Sequence, residues 1–178
     1  TKGMVWTPES AHAVHRLADF VIDASGEKFA CIFTVPKTGT ITKIGFMTAA
    51  VTTSQTLRVG LQTVDATNGD PTGTAYGGMV AGTQAAPAAN TWYTVTLGTG
   101  ATATIGDEIA AVIEFDATVG NLAIRVANNT VNQFPYVDLY VTSWTKSTRM
   151  PVLGIEYSDG TYEYNNCLAY RTNSAVYT

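Results

Sequence analysis

The chain has 178 residues, of which 46% are hydrophobic and only 13% are charged, and its formal net charge is −4. This much apolar content with so little charge excludes an intrinsically disordered chain and is enough for one folded core. The ten Lys and Arg residues do not cluster. The basic face that binding to nucleic acid or to an anionic membrane requires is therefore missing. No membrane-spanning run or lipidation motif occurs either, so we expect no membrane insertion.

The first 16 residues differ from the rest of the chain. Thr7, Pro8 and Glu9 are typical of the N-cap, first position and first turn of a short helix. We therefore expect residues 1–16 to form a short N-terminal arm or helix. His12 and His15 would lie one turn apart on it, but no third metal ligand is nearby, so we expect a surface role for both.

Beyond residue 16, apolar side chains recur at every second position, which predicts β-strands. The predicted strands are residues 29–35, 40–46, 56–64, 92–97, 109–115, 122–126, 137–141, 152–157 and 161–170. A long irregular stretch at 65–90 has room for one more short strand at 75–80. Many short strands separated by Gly, Pro and Asn indicate an all-β, antiparallel, jelly-roll-like β-sandwich. We expect residues 1–178 to form a single domain of this class.

Residues 154–165 predict a tyrosine-rich hairpin in which Asp159 and Gly160 form a two-residue turn. In the register that follows, Glu156 faces Glu163 directly. One side of this hairpin then carries four apolar or aromatic residues, namely Ile155, Tyr157, Tyr162 and Tyr164.

Each side of the predicted hairpin has two interpretations. The aromatic side is either core packing or a platform for sugars or a protein partner. The facing carboxylates Glu156 and Glu163 are either a solvated pair or part of a calcium site.

Other candidate sites leave similar alternatives open. Asp65, Asn68 and Asp70 form a tight loop that is either a calcium site or ordinary turn chemistry. Trp92 and Trp144 lie at strand ends, where a Trp can stack on a sugar or cap the core.

The remaining candidates concern catalysis and cysteine pairing. Glu114 and Asp116 share one face of a predicted strand at a spacing that a glycosidase pair can adopt. Nothing else marks a catalytic cleft, so we expect no enzymatic activity. Cys31 and Cys167 are either two buried apolar residues or a disulfide between an early and a late strand.

Four segments carry a resemblance to a known class of protein: FTVPKTGTITKIGF, TLRVGLQTVDATNGDPTGT, TWYTVTL and IGDEIAAVIEF. The pattern, over residues 29–127, resembles jelly-roll modules of bacteriophage tail, fibre and capsid-surface proteins. It is also similar to carbohydrate-binding-module-like domains. The resemblance implies a non-enzymatic structural or receptor-facing component of the particle. This component would be located in the virion or otherwise be extracellular, and it would need no cofactor unless calcium is bound.

The resemblance also implies partners, namely further copies of the same chain, other virion proteins and a host glycan. Two alternatives remain, a carbohydrate-binding module and a jelly-roll glycosidase or lyase. A virion component should be a stable oligomer with a large apolar contact area. A sugar-binding module should be a monomer that exposes Trp or Tyr planes, and an enzyme should place two carboxylates in one pocket.

Overall fold

A computed structural model describes residues 15–129, 137–140, 143–147 and 149–164. In these ranges the regular secondary structure is almost entirely β-strand, and one short 3-10 turn, Tyr76–Gly78, is their only helical element. The strands are β1 His15–Ile22, β2 Lys28–Thr34, β3 Gly39–Thr53, β4 Leu57–Val64, β5 Pro71–Ala75, β6 Gly82–Gln84, β7 Trp92–Ala103, β8 Glu108–Phe115, β9 Asn121–Asn129, β10 Val137–Tyr140, β11 Trp144–Ser147, β12 Arg149–Pro151, β13 Leu153–Tyr157 and β14 Tyr162–Tyr164. Among the described residues, no helix is long and apolar enough to cross a membrane.

Two antiparallel sheets contain these strands. The first sheet includes the order β1-β9-β3-β7, and the second includes β2-β8-β4-β5. Between β1 and β9 the chain passes from one sheet to the other at every connection except those that join β4, β5 and β6, which all lie in the second sheet. This connectivity is that of a jelly roll, so the predicted all-β, antiparallel, jelly-roll-like sandwich is confirmed.

The core lies between the two sheets and is built from side chains at alternate strand positions. Ile44 and Phe46 of β3 contribute from the first sheet, and Phe29 and Ile113 contribute from the second. Strands β2 and β8 are buried on both faces. Their outward-facing side chains form a second apolar cluster made of Ala30, Ile32, Ala110 and Val112.

The C-terminal strands enlarge both sheets. Strands β10 and β11 extend the second sheet beyond β2. In the first sheet, β12 pairs with β9, and β13 pairs with the N-terminal half of β3. The C-terminal half of β3 pairs with β9 instead. The hairpin β13–β14 is thereby placed on the first sheet, beside the strand that β7 borders on its other side.

The predicted register of this hairpin is wrong by one residue. Glu156 pairs with Tyr162, and Ile155 pairs with Glu163. The amide of Gly160 donates to the carbonyl of Tyr157 at 2.9 Å, and the amide of Tyr157 donates to the carbonyl of Thr161 at 2.9 Å. Gly160 alone in this turn has a positive φ, at 81°. The loop is therefore a three-residue type I turn with a glycine bulge, and not a two-residue turn.

Two further expectations need correction. His15 begins strand β1 and so does not belong to a helix, while residues 1–14, with Thr7, Pro8, Glu9 and His12, lie outside the described residues. The predicted strand at 75–80 is a 3-10 turn, which β5 and β6 flank. Gly77 and Gly78 both take a positive φ there, a conformation that interrupts a strand.

Candidate binding surface

Two glycines lie side by side on the outer face of the first sheet. Gly45 of β3 pairs directly with Gly154 of β13. Ile44 and Ile155, which flank them, are fully buried and point into the core. Because successive side chains alternate between faces, both glycines face outward and leave the strand backbones uncovered by a side chain of their own.

Two aromatic rings cover this bare area from opposite directions. Trp92 comes from the start of β7, and Tyr162 comes from β14. A Cβ atom on Gly154 would lie 2.5 Å from Cε1 of Tyr162, and one on Gly45 would collide with both Tyr162 Oη and Trp92 Cζ2. The rings can therefore lie directly on the backbone because both positions are glycine. We call Trp92, Tyr162, Gly45 and Gly154 the aromatic platform.

The rings of the platform are fixed in place and remain partly accessible. Their centroids lie 6.5 Å apart with an angle of 57° between the ring planes. The indole Nε1 of Trp92 donates a hydrogen bond to Oγ1 of Thr94 at 3.1 Å. Trp92 is 37% exposed, whereas Tyr162 is half-buried. The platform thus presents an ordered apolar surface to solvent.

A salt bridge borders the platform. Lys43 Nζ lies 2.7 Å from Oε1 of Glu156, and both side chains are partly exposed. Glu156 pairs directly with Tyr162 across β13 and β14, and Lys43 pairs directly with the exposed Thr96 of β7. An ammonium, a carboxylate and hydroxyl groups therefore lie beside the two aromatic rings on one sheet face.

The register correction separates residues that we predicted to be together. Glu156 and Glu163 are not opposite each other, so the like-charged pair proposed for calcium does not form. Tyr157 and Tyr162 lie on opposite faces, because Tyr157 is only 1% exposed and belongs to the core. Tyr157 is therefore not a surface ligand-binding residue. Tyr164 pairs with Gly154 through its backbone, but its side chain lies outside the described part.

The turn of the hairpin is held by a lysine from the connection between β2 and β3. Lys37 Nζ lies 2.6 Å from Oδ2 of Asp159 and donates to Oγ1 of Thr161 at 2.9 Å. It also lies 4.6 Å from the ring centroid of Tyr157. The hydrogen bond from Lys37 lowers the pKa of Asp159 to about 2. This contact orients the hairpin that carries Tyr162.

The acidic loop considered for calcium uses its side chains for its own backbone. Oδ1 of Asp65 accepts from the amide of Thr67 at 2.7 Å, and Oδ1 of Asn68 accepts from the amide of Asp70 at 2.9 Å. These are side-chain-to-backbone turn contacts. Among the described residues, no group of three or more His, Cys, Asp or Glu side chains is arranged to hold a metal ion. The geometry therefore matches the turn alternative.

Glu114 lies on the other sheet, in an open groove of about 270 Å³ that Gln62 and Met79 also line. Its carboxylate lies 2.8 Å from Lys28 Nζ and accepts from Nε of Arg58 at 2.9 Å. Burial by itself raises the pKa of Glu114, but the hydrogen bonds with Lys28 and Arg58 outweigh it and lower the pKa. A glycosidase acid needs a raised pKa, so this environment favours a fixed structural anion.

The surroundings of the remaining candidates, Trp144 and Cys31, are typical of residues with a structural role. Trp144 of β11 is half-buried and packs against the second apolar cluster, so it covers that cluster. Cys31 is a free thiol in the core, where burial raises its pKa to about 12. Cys167, its proposed disulfide partner, lies outside the described residues.

Of the predicted ligand-binding residues, the structure brings together Trp92 and Tyr162. Our sequence analysis missed the two glycines beneath them and the bordering Lys43. The local signals were a glycine inside each of two predicted strands, which often marks a close approach by another group. Comparison of the chain with protein-family models, with curated proteins and with solved structures finds no match in any of the three.

Proposed function

We propose that this chain is a non-enzymatic, receptor-facing component of a bacteriophage particle that binds the host surface and assembles with copies of itself and with other virion proteins. The observation that carries the proposal is the aromatic platform, a partly exposed pair of aromatic rings on paired strands of a jelly roll. The resemblance of residues 29–127 to phage virion modules supplies the biological setting.

The surroundings of the acidic side chains support a role without catalysis. Glu114 is held by Lys28 and Arg58, and Glu156 is held by Lys43. Hydrolysis of a glycosidic bond requires one carboxyl group with a raised pKa near a second carboxylate. A carboxylate that is already paired with a cation is poorly suited to donate a proton.

Native mass spectrometry of the purified chain, combined with a glycan array, tests this proposal. We expect a stable oligomer of defined mass that also binds surface saccharides of bacteria. A monomer that binds no bacterial saccharide would refute the proposal. A matched variant, Trp92→Ala, should keep the oligomeric mass and lose the saccharide signal, because the platform and the assembly contacts are separate surfaces in this proposal.

A carbohydrate-binding module is the second candidate, and a specific observation favours it. The large apolar side chains exposed in the described residues are Val21, Val80, Trp92 and Ile105, and they lie on four different segments of the chain. This distribution offers no broad apolar contact area within the described surface, whereas the platform suits a small ligand. A monomer that binds one polysaccharide would favour this candidate over a virion component.

A further inference from the structure

We infer that the aromatic platform is a binding site for a neutral saccharide, which places the apolar face of a pyranose ring on Trp92 and reaches the Lys43–Glu156 salt bridge with its hydroxyl groups. The inference rests on the proposed binding function and adds to it the chemical class of the ligand and the residues that select it.

The position of the aromatic rings is the first argument. The C–H groups on one face of a pyranose carry partial positive charge, and they are attracted to the negative face of an aromatic ring. Such stacking needs an aromatic ring that reaches solvent. Gly45 and Gly154 allow Tyr162 and Trp92 to lie directly on the strand backbones, and Trp92 is 37% exposed there.

The rigidity of the site is the second argument. Tyr162 fits over two glycines, and the indole of Trp92 is anchored to Thr94 at 3.1 Å. Both rings are therefore largely positioned before a ligand arrives. A positioned ring loses little side-chain entropy on binding, so more of the weak stacking energy is retained as affinity.

The polar border provides the third argument, which concerns charge. The salt bridge uses one of the three N–H groups of Lys43 and one of the two oxygens of Glu156. A donor group and an acceptor oxygen remain beside the rings, and sugar hydroxyls can use both. Because the two charges cancel, the border offers no net attraction to an acidic sugar, and we therefore expect a neutral one.

The size of the site favours a saccharide over a protein partner. A stable protein interface buries about 1,200–2,000 Å² in total and is centred on several buried apolar anchors. The platform exposes one large apolar side chain, Trp92, and its neighbours Thr94 and Thr96 are exposed hydroxyl residues. A single apolar ring bordered by hydroxyl and charged groups matches a sugar, which has an apolar face and a polar rim.

The test uses the whole chain on a printed array of neutral and acidic bacterial oligosaccharides, followed by isothermal titration with the strongest neutral ligand. We expect neutral ligands to bind, and Trp92→Ala to weaken them by roughly tenfold or more. Gly45→Ala, which displaces both rings without removing either, should weaken binding as well. Ile105→Ala is the matched control, since Ile105 is 63% exposed but lies in the turn between β7 and β8.

Several results would overturn the inference. These are binding to acidic saccharides only, no binding to any neutral saccharide, or neutral binding that both Trp92→Ala and Gly45→Ala leave intact. A change in oligomeric mass on Trp92→Ala would assign the platform to a second copy of the chain instead. Saccharide binding by a monomer would support the inference while refuting the virion role, so the two failures remain distinguishable.

Discussion

Gly82 lies where β6 crosses close to β7, and its replacement by alanine gives a sharp test of the packing. A Cβ at this position would lie 2.9 Å from the carbonyl carbon of Thr96 and 2.9 Å from Cγ1 of Val95, and it would be closer still to the Thr96 carbonyl oxygen. Thr96 pairs with Lys43 of β3, next to the pair formed by Val95 and Ile44. The clashing backbone therefore cannot move without disturbing the sheet.

Gly45→Ala is the informative comparison, because the atoms that its Cβ would meet are the ends of the Tyr162 and Trp92 side chains, which can rotate away. Overpacking against a fixed structure costs about 1–3 kcal/mol, and we expect Gly82→Ala to lie in the upper half of that range. In Gly45→Ala, the free-energy cost of displacing the rings is partly offset, because replacing a glycine within a strand stabilises the protein by about 0.5–1 kcal/mol. We expect its free energy of unfolding to stay within about 1 kcal/mol of the wild type.

Urea denaturation followed by far-ultraviolet circular dichroism measures both values. Thermal melting should show the same order, because a loss of 1 kcal/mol lowers Tm by about 2–4 °C in a chain of this size. If Gly82→Ala is as stable as the wild type, the close approach of β6 to β7 is wrong. If Gly45→Ala costs as much as Gly82→Ala, the two rings cannot be displaced from the backbone and belong to the core instead of the surface.

Three further predictions concern the turns and charges. Gly160→Ala should lower the free energy of unfolding by about 1–2 kcal/mol, because Gly160 has a φ of 81°. Gly160→Asn should cost less, since Asn tolerates this conformation. Equal costs of the two variants in urea denaturation would contradict the turn geometry. The contact with Lys37 lowers the pKa of Asp159 to about 2, below its usual 3.8, so its stabilisation is present above pH 4 and is lost as the pH falls towards 2. Asp159→Asn should accordingly show a smaller decrease in the urea midpoint over that interval, and an unchanged pH dependence would refute the contact. Glu114→Gln should cost about 1–2 kcal/mol, because it leaves two cations beside a neutral group in a partly buried groove. The exposed Glu108→Gln, on the same strand, should be nearly neutral in the same denaturation assay, and an equal effect of both variants would count against the ion pairs.

The predictions covered only about the first halves of β3 and β7 and missed β1. Strands β2, β4 and β8 were predictable because burial dictates their alternating apolar residues. Residues 109–115, for example, lie within β8. The alternating pattern predicts burial of β8 on one face only, but its outward-facing residues Ala110 and Val112 are buried as well. The short strands β5 and β6 escaped prediction because the first is mostly exposed and the second has only three residues. Their position depends on pairing with β4, which a local pattern does not encode.

The candidate site depended on one feature that local sequence leaves ambiguous, namely the type of turn at Asp159 and Gly160. Asp-Gly suits a two-residue turn with a positive φ at both positions, but it also suits a type I turn in which only the glycine has a positive φ. The structure has the second form, and Lys37 contacts the aspartate from a distant turn. The Asp-Gly dipeptide alone does not determine the type of turn, and the observed type is accompanied by the contact between Lys37 and Asp159.

The type of turn determines which tyrosine reaches the surface. Side chains alternate between the two faces of a strand, so a shift of one residue between β13 and β14 exchanges the residues that share a face. With the predicted two-residue turn, Tyr162 would lie on the same side as Tyr157, which points into the core. With the observed turn, Tyr162 pairs with Glu156 on the outer face and lies over Gly45 and Gly154. The single extra residue in the turn thus places Tyr162 on the outer face, where it forms part of the aromatic platform. Variants that alter this turn should therefore affect binding at the proposed saccharide site as well as stability.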